Sequence, residues 1–279
     1  MTDDGDGRTA KFFHDLRLGA PGDLRVAVVV AHPDDETIGI GAHLARLRGA
    51  QVIHLTDGAP SDMTDAHANG MTTRRDYAAA RRVELCAAMA IAGIAPSQLI
   101  GFDVADQRAA SAMPMLACRL AALLEKFSCE IVLTHPFEGG HPDHDATCFV
   151  VHAAAALLAR RGTPPPKLLE MAFYHWDGSC LLAQRYPASG PADHVRLVLI
   201  DNDWARKQRM LSAFASQQRT LSLFSDRSER LRVAPVYDFT KLPNGGRLLY
   251  ERFPWGMTGA AWLECSAAAL SDLRLQACL

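Results

Sequence analysis

The chain has 279 residues, of which 49% are hydrophobic and 22% are charged, and its formal net charge is −2. This length and composition are typical of a single globular domain with a substantial buried core. The charge balance, with no basic stripe in the sequence, argues against a nucleic-acid partner held through its phosphates. The longest apolar stretch, residues 151–159, contains His152 and is too short to span a membrane.

Two further features of the sequence favour a cytoplasmic location. The first residues are acidic and polar, unlike the charged and then apolar regions of an export signal. The seven cysteines are odd in number and scattered mostly through helical patterns, which is typical of reduced thiols.

The first 161 residues alternate between short apolar runs and helical patterns. Residues 1–22 are predicted to be a flexible or edge-packing N-terminal segment, with a short helix over 11–19. Strands are predicted over 26–31, 51–55, 98–102 and 130–134. Helices are predicted over 37–49, 73–92, 114–127 and 142–161, and a long loop over 59–72. Repeated strand, polar turn and helix units predict an α/β fold with a doubly wound, mostly parallel sheet, whose core and metal site lie in residues 23–161.

Residues 162–279 have a less regular pattern. Strands are predicted over 168–174, 195–200 and 247–253, and a helix over 204–216. We expect this segment to complete the sheet and the pocket within the same domain, 1–279.

The first strand ends in a group of side chains that can bind a metal: His32, Asp34, Asp35 and Glu36. In open α/β sheets, ligands bind at the carboxyl ends of the strands. Adjacent carboxylates repel one another unless a cation or the positive end of a helix offsets their charge. A bound divalent metal would offset this charge and would be coordinated by the same side chains.

A second group follows the fourth strand, where His141 and His144 stand at the start of a helix marked by Pro142 and Asp143. Together with His32 and Asp35 they predict a zinc site that keeps an open position, the usual arrangement of a hydrolytic site. Asp34 is then placed to take a proton from the attacking water. His141 is placed to stabilise the oxyanion or to protonate the leaving group.

The two motifs, AHPDDE at 31–36 and HPDH at 141–144, resemble the signatures of the zinc-dependent N-acetylglucosaminyl deacetylases of the PIG-L/LmbE type. The resemblance implies that His32, Asp35 and His144 bind one zinc ion. It implies that Asp34 is the general base and that His141 is the electrophilic or acidic histidine. It also implies a Rossmann-like, three-layer fold and hydrolysis of an N-acyl amino sugar or glycoconjugate, with acetyl as the expected acyl group.

Weaker features of the same resemblance suggest substrate contacts. Arg81 begins an R-x-x-E pattern whose arginine reaches sugar hydroxyls, and Asp106 follows the third strand where the family has a substrate-binding aspartate. His135 ends a strand that faces the site, and the alternatives for it are substrate contact and loop packing. The resemblance covers roughly residues 26–155.

Several alternatives stay open at this point. The acidic motif alone would also suit an ordinary helix start, a reading that the second histidine-rich motif makes unlikely. The fold could belong to a non-catalytic sugar-binding protein, to a hydrolase of another amide in a thiol-sugar conjugate or glycosylated metabolite, or to a two-metal phosphoesterase. Another divalent metal could replace zinc, and a homo-oligomer is compatible with the sequence. Phe253 and Trp255 are predicted to be core residues rather than sugar platforms.

Overall fold

The structure, a computed structural model, describes residues 4–19, 22–188 and 190–279. Parts of the predicted N-terminal segment, residues 1–3 and 20–21, lie outside the described residues. The helices are α1 (Asp4–Leu18), α2 (Asp35–Ile40), α3 (Thr64–Ala68), α4 (Arg74–Ile91), α5 (Met113–Lys126), α6 (Pro142–Arg160), α7 (Asp201–Ala213), α8 (Gln218–Leu221) and α9 (Gly259–Leu273). The strands are β1 (Val26–Val30), β2 (Gln51–Pro60), β3 (Leu99–Asp106), β4 (Ile131–Thr134), β5 (Lys167–Met171), β6 (Tyr174–Trp176), β7 (Leu181–Ala183), β8 (Val195–Val198) and β9 (Ser228–Val233).

Seven of these strands form one mixed sheet in the order β3-β2-β1-β4-β5-β9-β8. The first five run parallel, and β9 runs antiparallel to both β5 and β8. Strands β6 and β7 form a separate antiparallel pair. The predicted α/β fold with a mostly parallel sheet is therefore confirmed.

Helices cover both faces of the sheet, which explains why the central strand β1 is apolar at every position. In β1, Ala27 and Val29 pack into a core with residues of α5, α6 and α9. Val28 and its neighbours Val26 and Val30 pack into a second core with residues of α1, α2, α4 and α7. The result is the three-layer arrangement that the sequence predicts.

The order of the strands reverses between β1 and β4. The chain passes from β1 to β2 and β3 on one side, and then returns to β4 on the other side of β1. Such a reversal opens a crevice beyond the carboxyl ends of the two central strands, and this crevice is where open α/β sheets bind ligands.

The helix predicted over 37–49 is shorter than expected. Helix α2 ends at Ile40, and a single 3₁₀ turn follows at Leu44–Arg46. The backbone N–H of Ala42 donates to the Glu229 carboxylate at 2.8 Å instead of continuing the helical ladder. The approach to the sheet is also close, since a Cβ on Gly39 would lie 2.5 Å from the Met171 Sδ. The predicted loop over 59–72 likewise contains the end of β2 and the short helix α3.

One prediction in the C-terminal third is wrong, and several elements there were not predicted. The strand expected over 247–253 is a 3₁₀ turn at Tyr250–Arg252, and the sequence analysis missed both β9 and α9. Strand β9 was missed because it buries charged residues, which hide its apolar pattern. Each has an ionic partner, as in the pair formed by Arg232 Nε and Glu170 Oε2 at 2.7 Å.

Glu229 of β9 is the centre of a fully buried ionic network. Its Oε1 accepts from Lys207 Nζ of α7 at 2.8 Å, and the same Nζ donates to the carbonyl of Ile38 at 2.7 Å. The other carboxylate oxygen of Glu229 contacts His43 Nδ1. Burial alone would raise the pKa of Glu229, but Lys207 and His43 lower it to about 2. The network therefore joins α2, α7 and the sheet through charges that balance one another.

All seven cysteines are free, as predicted. Among the helices of the described ranges, none combines the length and the apolar content needed to cross a membrane.

We expect Glu229→Gln to lower the free energy of unfolding by about 3–5 kcal/mol, because it leaves the Lys207 ammonium buried without its counter-charge. The pKa of Glu229 is depressed on folding from 4.5 to about 2. Its contribution is therefore complete above pH 4.5 and is lost as the pH falls toward 2, so the difference between variant and wild type should shrink over that interval. Urea unfolding at several pH values measures both effects.

Glu264→Gln serves as the matched control, because Glu264 is exposed on α9. It should change the free energy of unfolding by no more than about 0.5 kcal/mol. Equal losses in the two variants would contradict the assigned role of the Glu229 network.

Candidate metal and catalytic site

The two predicted motifs meet at the crevice between β1 and β4. Residues 31–36 follow β1, and residues 135–144 follow β4 and enter α6. The rings of His32 and His141 lie edge to face, with centroids 4.6 Å apart. The rings of His135 and His144 are stacked at 4.0 Å. Four histidines from two segments that are distant in the sequence therefore lie close together in the crevice.

Asp35 touches both of the other predicted metal ligands. Its Oδ2 lies 3.3 Å from His32 Nδ1, and its Oδ1 lies 3.3 Å from His144 Nε2. The Oδ2 also accepts the backbone N–H of His32 at 2.8 Å. Three overlapping groups of potential ligands are present among the described residues, and the ligand atoms within each group lie within 4.8 Å of one another. The groups are His32 with His141 and His144, Asp35 with His135 and His144, and His32 with Asp106, His141 and Asp143. Imidazole nitrogens and a carboxylate in such a group suit a divalent ion of the zinc type.

The electrostatics of the crevice favour a positive charge at its centre. Burial alone would lower the pKa of His32, but the carboxylates of Asp106, Asp143 and Asp35 raise it well above its usual range. Burial alone would raise the pKa of Asp35, but His144 and His135 hold it well below its usual range. The Asp35 carboxylate is thus kept charged and lies against the imidazoles, as a cation site requires.

Asp34 has a backbone conformation that L-residues rarely adopt, with φ of 134° and ψ of −28°. Three contacts hold it there. Its N–H donates to Glu36 Oε2 at 3.0 Å, and Arg81 Nη2 donates both to Asp34 Oδ2 at 3.1 Å and to the Pro33 carbonyl at 2.5 Å. Burial raises the pKa of Asp34 well above its usual range, and Arg81 opposes this effect. Strained backbone of this kind persists where the surrounding structure enforces it.

Glu36 is fully buried and orients the motif. Besides the N–H of Asp34, its carboxylate accepts the hydroxyl of Thr37 at 2.7 Å and contacts His54 Nε2 of β2 at 3.0 Å. Sequence reasoning gave Glu36 no separate role. The sequence indicates a role for Glu36 only through its position two residues after Asp34 in the motif. Its partner His54 comes from another strand and could not be identified from the local pattern.

Arg81 and His135 were predicted to contact substrate. The Arg81 side chain is 3% exposed and also donates to the Gly58 carbonyl at 2.9 Å. His135 has no exposed surface, and its Nε2 accepts the N–H of Ala31 at 3.0 Å while lying 3.4 Å from the Asp35 carboxylate. Burial, and then His144, lowers the pKa of His135 to about 3. Substrate contact by these two residues stays a prediction; here they touch Asp34 and Asp35.

Asp106 lies on the rim of the crevice, with its Oδ1 3.0 Å from His32 Nε2 and 3.8 Å from His141 Nε2. The loop that carries it is held by Asp143, whose carboxylate accepts the N–H groups of Gln107 at 2.6 Å and Ala109 at 3.0 Å. The sequence analysis used Asp143 only as a helix-start signal. Its second role depends on a contact between distant segments, which no local pattern reveals.

His141 caps α6, because its Nδ1 accepts the backbone N–H of Asp143 at 3.1 Å. A neutral His141 therefore carries its proton on Nε2, the nitrogen that faces Asp106. Burial, followed by the neighbouring His32, lowers the pKa of His141 well below its usual range. The ring is thus oriented to donate a hydrogen bond into the crevice.

An aromatic pair extends from His141 toward the surface. The Trp255 ring lies against His141 with centroids 4.6 Å apart, and Phe253 stacks on Trp255 at 4.5 Å with an interplanar angle of 15°. The prediction that these two residues belong to the core is wrong, because Phe253 is 42% exposed and Trp255 is half-buried at the site. Phe253 is the last residue of the segment that was predicted to be a strand, and Trp255 follows that segment.

Two curated proteins match part of the chain. One is a 1D-myo-inositol 2-acetamido-2-deoxy-alpha-D-glucopyranoside deacetylase 1 from Saccharopolyspora erythraea, 30% identical over 171 residues, or 50% of this chain. The chain spans 56% and 61% of the lengths of the two curated relatives.

Solved structures share the fold. The A40926 pseudoaglycone deacetylase Dbv21 aligns with a TM-score of 0.56 and 18% identity, over 77% of this chain and all of that one. GalB, a 4-carboxy-2-hydroxymuconate hydratase from Pseudomonas putida KT2440, aligns with a TM-score of 0.54 and 20% identity, over 75% of this chain and 95% of that one. Because proteins with different activities share it, the fold alone does not define the reaction.

A family model matches the part of the chain that contains both motifs. The model is described as PIG-L: GlcNAc-PI de-N-acetylase, and it matches residues 27–155, from β1 into α6. The earlier resemblance to this family is confirmed over the matched segment, which contains both motifs.

Proposed function

We propose that the protein is a metal-dependent deacetylase that hydrolyses the N-acyl group, acetyl in the first instance, of an amino sugar or glycoconjugate. The observation that carries the proposal is the contact of Asp35 with both His32 and His144, beside the strained Asp34. The match of residues 27–155 to the family model and the similarity to a deacetylase of a 2-acetamido sugar support the same reaction.

His32, Asp35 and His144 are the proposed ligands of one divalent ion, with zinc as the expected metal. When bound, such an ion acts as a Lewis acid toward the amide carbonyl and increases the acidity of water. His135 contacts Asp35, and Asp143 contacts His32. We therefore assign His135 and Asp143 the role of positioning these ligands.

The protein residues then move the proton. The Asp34 carboxylate, oriented by Arg81, takes a proton from the water as the water oxygen bonds to the amide carbon. His141 donates a hydrogen bond from Nε2 to the oxygen on which negative charge develops. Asp34 returns the proton to the nitrogen as the C–N bond breaks, which releases a carboxylic acid and the amine.

The rim of the crevice suits a sugar. Asp106 is a hydrogen-bond acceptor for hydroxyl groups, and the stacked Phe253 and Trp255 present an aromatic face beside His141. We propose that this face packs against the pyranose ring or its aglycone. A non-catalytic binding protein is the less favoured alternative, because it would have no use for a strained acidic residue at position 34.

The metal ligands are tested by metal analysis of purified variants. Wild type should carry about one zinc per chain. Asp35→Asn and His144→Ala should lose most of it, because each removes a donor atom from the group. His67→Ala, at an exposed position on α3, should keep it. A folded His144→Ala variant with full zinc content would contradict the assignment.

Asp34→Asn should retain the metal but lower kcat for amide hydrolysis by about 10²–10⁴-fold, because the amide cannot accept the proton. The measurement is amine release from a panel of N-acyl glucosamines and glycoconjugates, with and without a chelator. The exposed Asp193→Asn should behave as wild type. Unchanged kcat in Asp34→Asn would remove Asp34 from the role of base.

Phe253→Ala should raise KM by about threefold or more and leave kcat nearly unchanged. The reason is that Phe253 stacks on Trp255 without contacting His141, so only ring packing is lost. Phe253→Tyr keeps the aromatic face and should restore KM. Equal KM values for all three proteins would show that substrate does not reach this face.

A further inference from the structure

A cavity of about 600 Å³ lies between α4 and the neighbouring strands β2 and β3, and the catalytic assignments do not use it. Pro33 is the only lining residue that comes from the AHPDDE motif, and none comes from HPDH. Its charged and polar lining consists chiefly of His54, Asp57, Arg74, Arg75, Arg82 and Asp103. The volume falls within the usual range for small-molecule sites.

The cavity exists because small residues face one another across it. Helix α4 presents Ala78 and Ala79, and β3 presents Gly101. The pairing of β2 with β3 also shifts register after His54, and Asp103 adopts a positive φ of 59° at this irregularity. Bulges of this kind are frequent next to binding sites.

The arginines give the cavity an excess of positive charge. Arg74 is neutralised by Asp57, whose Oδ2 lies 2.5 Å from Nη1. Arg82 donates to the Leu99 carbonyl at 3.2 Å, which leaves its charge uncompensated. Over residues 4–19, 22–188 and 190–279, no carboxylate lies within the 4.0 Å ion-pair distance of Arg75 or Arg82. Asp103 is the one other acidic residue in the lining, so guanidinium charge is in excess.

His54 adds a buried polar atom without a partner. Its Nε2 contacts Glu36 at 3.0 Å, whereas its Nδ1 is buried and has no hydrogen-bond partner within the described structure. A neutral imidazole that donates from Nε2 to a carboxylate has an acceptor at Nδ1. Because this nitrogen has almost no accessible surface, it lies within the wall of the cavity and is not reached by a ligand.

We propose that this cavity binds a small hydroxylated oxyanion, such as a sugar phosphate or a sugar acid. Arg75 and Arg82 bind the anionic group, and the Asp103 carboxylate in the lining accepts a hydrogen bond from a ligand hydroxyl. Guanidinium groups suit phosphate and carboxylate equally, because both present paired oxygens. The site is separate from the proposed deacetylation site and does not depend on that reaction.

The test is calorimetric titration of the metal-loaded, full-length protein with three probes that lack an amide. Glucose 6-phosphate supplies a phosphate, gluconate supplies a carboxylate, and glucose supplies hydroxyls alone. We expect at least one of the two anions to bind at one site per chain, and glucose not to bind. The anion that binds more tightly shows whether the cavity prefers a phosphate or a carboxylate.

Arg75→Gln/Arg82→Gln should weaken that binding by about tenfold or more, because both charge-assisted contacts are lost. Arg161→Gln, an exposed arginine at the end of α6, should bind as wild type does. Saturating N-acetylglucosamine should not displace the anion. The proposal fails if neither anion binds at millimolar concentrations, if the double variant binds as well as Arg161→Gln, or if N-acetylglucosamine displaces the anion completely.

Discussion

The hydrogen bonding of β1 to β4 is the constraint on which the site depends. The two strands are neighbours and parallel, with Val28 opposite Leu133, although about a hundred residues separate them in the chain. Parallel neighbours end at the same edge of a sheet, so the loops that follow them must share one crevice. The contact of Asp35 with His144 is a direct result of this pairing.

Contacts outside the crevice also fix the position of the site. Helix α2, which begins at Asp35, is too short to be stable through its own hydrogen bonds. Its position is instead determined by the close approach of Gly39 to Met171 and by the bond from Lys207 to the Ile38 carbonyl. The buried Lys207–Glu229 pair therefore connects the antiparallel end of the sheet to the start of the metal motif. Charge pairing far from the crevice contributes to its geometry.

The sequence predicted the features that local patterns encode. The apolar runs of β1 and β4 and the two motifs required only short windows, and the strand order brought the motifs together as expected. Long-range pairing accounts for the failures. Strand β9 could not be recognised because Glu229 and Arg232 look like surface residues until their partners are known. The aromatic loop at Trp255 and the second role of Asp143 also depend on contacts between distant segments.

The backbone conformation of Asp34 lowers the stability of the fold, whereas the proposed reaction needs the carboxylate of this residue. A residue other than glycine in such a conformation costs on the order of 1–3 kcal/mol. Glycine would relieve the strain and keep the N–H that donates to Glu36, but it has no carboxylate to accept the hydrogen bond from Arg81. A chain selected for thermal stability alone would therefore discard the acid at this position. Its retention is a cost in stability that only a use for the side chain can explain.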